Sequence, residues 1–269
     1  MNSILSKIAI AFPVLAAIIS LEIIQSRPDL FWPILGVILG LTLISALYLS
    51  GFLKQKKLAG LFYLILPFFY IASAISVFVL AQKSYIAHFF ILSAASVLGL
   101  ALYNIKTLSK YRFESGQEVI LKSQEDKRKH IALTINQALV LLTIFFAVAN
   151  LFGLIYLLSF PVWQILIIIT LIIFLLVYQF FNEIFDRPLA YLYSLITALV
   201  LGQIFWSLTF WPTNYIANAV IVVSSLYITL GIFNHYGHKT LTLRLIKIYF
   251  FLGGFTILAV LLSNQWTPR

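Results

Sequence analysis

Cysteine is absent from this 269-residue sequence, Asp and Glu number only eight, and charged residues make up 10% of the chain. The missing cysteines exclude disulfides, thiolate nucleophiles and Cys-ligated zinc or iron–sulfur centres. The scarcity of charge excludes an ordinary water-soluble domain, in which about a quarter of the residues are charged. A Gly-rich phosphate loop, H-E-x-x-H and G-x-S-x-G are missing too, so no nucleotide-binding, metalloprotease or hydrolase signature is present. No cofactor is expected.

What fills the chain instead is apolar residues, 62% of the total, spread over its whole length in long continuous runs. In hydrocarbon only helices and closed barrels satisfy their own backbone groups, and unbroken apolar runs are helical where barrel strands alternate. The expected fold class is all-α, a polytopic integral membrane bundle forming a single transmembrane domain. At about 20 residues per crossing, nine helices fall near 8–25, 31–53, 58–81, 85–105, 131–158, 162–181, 188–211, 215–234 and 245–264. Lys7 ahead of the apolar run 9–19 has the form of a secretory signal, but no small-x-small cleavage pattern precedes Glu22, so this run is read as a retained first helix. The fifth run is long enough to tilt or to break at Asn150 and Gly153, and Pro161 starts the sixth.

The net charge of +10 does not point to nucleic acid, because the basic residues lie in the loops between apolar runs. Counted on alternate sides of the nine-helix map, one side holds Lys7, Lys54, Lys56, Lys57, Lys106, Lys110, Arg112, Lys122, Lys127, Arg128, Lys129, Arg187, Lys239, Arg244 and Lys247. The other holds Arg27, Lys83 and Arg269. A miscounted interior helix would have scrambled this alternation, so the asymmetry places the N-terminus inside and the C-terminus outside, with a bacterial cytoplasmic membrane as the expected location. Trp32, Trp163, Trp211 and Trp266 fall at outer helix ends, with Trp206 about one turn deeper. They read as an aromatic belt rather than a stacking surface for a headgroup.

The longest polar segment, 106–130, is a basic cytoplasmic loop on this map. Its pairs Glu118/Lys122 and Glu125/Lys129 have the i,i+4 order that supports a helix, so its second half is expected to extend helix five. Tyr111 and Phe113 would hold the first half at the interface. The segment has the composition of a docking element or an anionic-lipid contact, but an ordinary positive-inside loop accounts for it with no partner beyond the lipid bilayer. A faint repeat recurs at a separation of 130 residues: Tyr85-Ile86-Ala87 with Tyr215-Ile216-Ala217, and Asn104 with Asn234. It corresponds to a 4+4 parallel repeat with helix nine appended, an arrangement found in transporters.

Mid-membrane charges are the usual flag for transport or proton relay, and the map places none. Glu22 lies near the outer end of helix one within reach of Arg27, and His88 about one turn inside helix four. The sharpest constellation is on the cytoplasmic boundary: Asn182, Glu183, Asp186 and Arg187 after helix six, and His235 and His238 after helix eight. Two carboxylates and two imidazoles spaced i,i+3 are the donor set for a divalent metal acting on a lipid phosphate. The competing reading is a pair of solvated helix ends with Gly237 between the histidines. Deeper in the helices, Asn136, Gln137, Asn150, Gln164, Gln179, Gln203, Asn218, Ser224 and Ser225 are expected to bond between helices, with Pro13 and Pro67 as kinks. If Gln203, Asn218 and Ser224 faced one cavity, they would suit a neutral or zwitterionic solute. Gly36 and Gly40 have the small-residue spacing of close helix contact.

Three readings remain. A non-enzymatic membrane scaffold or subunit, assembled with other membrane subunits or with itself, requires none of these constellations. A carrier for a neutral or zwitterionic small molecule or lipid fits the helix count and the repeat. A metal-dependent lipid-modifying enzyme fits the boundary carboxylates and histidines. The balance leans to the first.

Overall fold

A computed structural model describes residues 3–51, 62–81, 84–114, 122–211 and 213–263. Among them are nine α-helices and no strand: α1 Ser3–Ser26, α2 Phe31–Leu49, α3 Ile65–Ala81, α4 Ser84–Glu114, α5 Lys122–Leu158, α6 Val162–Phe181, α7 Arg187–Leu208, α8 Tyr215–Gly237 and α9 Leu243–Ser263. Eight are long and apolar enough to cross a bilayer, since about 20 residues at 1.5 Å each span a hydrocarbon core of about 30 Å. The protein is an all-α polytopic membrane protein. The exception is α3, which has 17 residues; the earlier part of the run expected at 58–81 lies outside the described residues.

Helix ends follow local chemistry. Pro28 opens a 3-10 turn, Pro28–Leu30, that leads into α2, where its fixed φ and missing N–H cost nothing. Gly51, at φ +72°, follows the last turn of α2, a left-handed conformation that only glycine adopts without strain. Asn214 caps α8, its Oδ1 accepting from the Ala217 N–H at 2.7 Å. The turn into α9 closes through Lys239, at φ +56°, with the Thr240 N–H donating to His235 O at 2.9 Å.

Two elements outrun expectation. Helix α4 continues to Glu114 rather than ending near 105, and α5 runs 37 residues without interruption through Asn150 and Gly153. At 1.5 Å per residue α5 is about 55 Å long, well beyond the hydrocarbon core, so its N-terminal turns extend the helix into the polar region as the charge pattern of 106–130 implied.

The chain divides into two compact units, 1–139 and 140–269, with the boundary inside α5. In the first unit α1, α2, α3 and α4 pack together around Ala17, Leu21, Ile38, Ala46, Tyr70, Ile71, Leu98 and Leu102, all essentially buried. Tyr70 Oη donates to Ala94 O at 3.1 Å, and Ser109 Oγ to Leu49 O at 3.2 Å. In the second unit α7 packs on α6 and α8, and α9 on α8. Its core includes Phe152 and Phe205, stacked at 4.2 Å between centroids, with Ile169, Ile173, Ala198 and Val222. The tryptophans Trp32, Trp163, Trp206 and Trp211 are all exposed at helix ends or just beyond, the disposition of an interfacial belt. Trp266 lies outside the described residues.

Candidate functional site

The boundary constellation forms where α6 ends and α8 ends. After Phe181 the chain turns through Asn182, whose N–H donates to Tyr178 O at 2.9 Å, and reaches Asp186 at the N-cap of α7. Asp186 is exposed and its side chain makes no capping bond. On the other side His235 Nδ1 lies 2.9 Å from Thr240 Oγ1, within its own turn. The two segments do meet, but through other residues. A Cβ on Gly237 would overlap Ile184 and press on the Phe185 ring, so the glycine between the histidines is a packing requirement.

Around that contact lies an aromatic cluster that sequence reasoning missed. Phe181, Phe185, Tyr193, Phe233 and Tyr236 stack edge and face, with centroids 4.7 Å apart for Tyr193 and Phe233 and 5.1 Å for Phe185 and Tyr193. Pairs of this geometry contribute about 0.5–1.5 kcal/mol each beyond burial, enough to fix the ends of α6, α7 and α8 without a metal. Among the described residues no group of three or more His, Asp or Glu side chains is placed to hold a metal ion. Glu183, Asp186, His235 and His238 flank the helix ends that this ring packing joins.

The three mid-helix polar residues separate. Gln203 is exposed on α7. Asn218 is completely buried and ties three segments together: its Nδ2 donates to Tyr156 Oη at 2.8 Å and to Leu208 O at 3.4 Å, and its Oδ1 accepts from the Thr213 hydroxyl. Ser224 lines a cavity of about 290 Å³ between α5, α8 and α9, with Phe145, Val223, Tyr227, Leu252, Gly253 and Thr256 also in its wall. Neither Gln203 nor Asn218 is part of that wall.

Ser225, expected to bond between helices, instead bonds within its own, as do many other helical hydroxyls. Ser76, Ser96, Thr134, Thr170, Ser194, Ser225 and Thr256 each donate to the carbonyl four residues earlier, at 2.6–3.0 Å. This is the nearest acceptor available to a hydroxyl in hydrocarbon. Glu22 and His88, read separately from the sequence, approach each other across α1 and α4, Oε1 to Nε2 at 3.6 Å.

The first unit holds a second cavity, of about 370 Å³, between α4 and α5. Tyr103, Asn104, Lys106 and Thr107 line it from α4, and Arg128, Ile131, Ala132 and Ile135 from α5. Its cations were read in the sequence chiefly as positive-inside charges; that they share a cavity depends on how two helices lie together.

The family described as "Protein of unknown function (DUF5656)" matches residues 51–263. The chain belongs to that family. No curated protein and no solved structure matches the chain. In this DUF5656 protein the matched span takes in both cavities and the aromatic cluster, while α1 and α2 precede it.

Proposed function

We infer that the protein is a non-enzymatic membrane scaffold or subunit, oriented with its N-terminus in the cytoplasm of a bacterial cell and assembled within the bilayer through α9. The observation that carries this is the way α9 is seated. Only 6% of its spanning window is buried, against 22–61% in the other seven candidate spans. Its extensive packing among the described residues is with α8 alone, where Tyr249 closes over Gly231 and Ile228 over Gly253. On its open surface Ile248, Phe251, Phe255, Leu258 and Leu262 recur at helical spacing. Aromatic and aliphatic side chains at this density suit another membrane-spanning helix, for which a second copy of the chain is the simplest source.

Because the chain has no cysteine, the test is clean. Single variants Phe251→Cys and Phe255→Cys, oxidised with copper phenanthroline in native membranes, are expected to give a disulfide-linked dimer. Leu171→Cys and Leu15→Cys, on the exposed faces of α6 and α1, are expected to stay monomeric. Equal yields from all four positions, or none from any, would refute assembly through α9.

The carrier reading has one observation in its favour, the cavity at Ser224, whose apolar wall with three hydroxyls at Ser224, Tyr227 and Thr256 suits a neutral lipid more than an ion. A diacylglycerol adduct in native mass spectrometry that Val223→Trp abolishes would favour it over assembly.

A further inference from the structure

We propose that the cavity between α4 and α5 is a binding site for the phosphate headgroup of an anionic phospholipid. Two cations reach it from different helices, Lys106 and Arg128. Among the described residues neither meets a carboxylate: Lys106 Nζ donates to Ser6 Oγ at 2.9 Å, a neutral acceptor that positions the ammonium without neutralising it. Asn104, 3% exposed, lines the same cavity and brings a carboxamide to it. The Tyr103 and Thr107 hydroxyls complete a polar rim.

The opposite wall is apolar. Ile131, Ala132 and Ile135 descend α5 from Arg128 toward the hydrocarbon, and Ile131 is 58% exposed. Lys106 and Arg128 lie at the ends of their spans, His88–Ser109 and Arg128–Leu158, the depth at which lipid phosphates sit. The cavity therefore offers two cations and a neutral donor to an anion, and beneath them a greasy surface for the chains it carries. A guanidinium and an ammonium converging on one oxyanion is the geometry that recognises phosphate, and basic clefts between membrane helices on the Lys/Arg-rich side bind anionic headgroups. A free phosphate shares the charge but makes no use of the isoleucine wall.

The test is native mass spectrometry of the full chain released from nanodiscs of equal phosphatidylglycerol and phosphatidylcholine. Wild type is expected to retain phosphatidylglycerol preferentially. Arg128→Gln and Lys106→Gln should each lower that retention about fivefold, the effect of one basic contact at a membrane surface. Ile131→Trp, which fills the cavity and keeps both charges, should lower it as well, whereas Arg244→Gln, an exposed basic residue of the second unit, should not. Equal retention of the two lipids by wild type, or the same loss from Arg244→Gln as from Arg128→Gln, would overturn the site. Displacement of bound phosphatidylglycerol by millimolar inorganic phosphate would overturn the lipid assignment in favour of a soluble phosphate source; persistence of the adduct under that challenge supports it.

Discussion

Replacing Asn218 by Leu should destabilise the fold by about 2–3 kcal/mol, and the geometry around it shows where each part arises. Interhelical hydrogen bonds in bilayers average about 0.6 kcal/mol, with a maximum near 1.7, so the bonds to Tyr156 and Thr213 together contribute about 1–2 kcal/mol. Leucine has the same branched shape but is larger than asparagine, so no cavity opens and overpacking at this buried site adds about 1 kcal/mol. The assay is reversible unfolding in mixed micelles of dodecyl maltoside and SDS, followed by far-UV circular dichroism. Thr213→Val alone should cost about 1 kcal/mol, and the double variant less than the sum of the singles, because both remove one bond. Asn214→Ala at the same helix end, which loses the cap on Ala217, calibrates the scale at about 1 kcal/mol. A stability for Asn218→Leu within about 0.5 kcal/mol of wild type, or strict additivity with Thr213→Val, would refute the account of Asn218 as the tie between α5, α7 and α8.

Phe205→Ala removes a fully buried ring stacked on Phe152 and should cost about 3–5 kcal/mol in the same titration. Gly231→Leu must displace the Tyr249 ring; an overpacking cost of about 1–3 kcal/mol should fall on α9, read as faster amide exchange over 243–263 with α7 unchanged. Glu22→Gln breaks a pair whose side chains are 45% and 58% exposed, so the unfolding midpoint should shift by no more than about 0.5 kcal/mol allows.

The spans were legible because a bilayer imposes a length and a charge sidedness that leave their mark on the chain residue by residue. Pro161 marks a helix start by backbone chemistry that depends on no neighbour, whereas the run expected at 31–53 passed over Gly51, and α2 ends at Leu49. The continuation of α4 to Glu114 was not legible, since past Leu108 its residues alternate between polar and apolar and hydropathy no longer distinguishes helix from loop. Asn150 and Gly153 lower helix propensity only weakly, by about 1 kcal/mol for the glycine, and burial of Val148, Ala149 and Phe152 around them outweighs that. The site residues were harder, because which faces meet is a property of pairs of helices. Nothing in the spacing of Phe181, Tyr193 and Phe233 shows that their rings converge, nor that Lys106 and Arg128 open on one cavity. Asn218 and Gln203 look equivalent in sequence, yet one is buried in a hydrogen-bonded knot and the other faces outward.

The edge of the family resemblance and the edge of the first unit do not coincide. Helices α1 and α2 precede the matched span, yet they supply neighbours that α4 depends on: Val14 packs against Gly99, where even a methyl group would be within 3.2 Å, and Ser6 and Leu49 receive Lys106 and Ser109. A chain begun at residue 51 would keep every residue of the lipid cavity and lose the anchor that aims its lysine. A shortened form of this chain therefore needs to carry the first two helices along with the matched span.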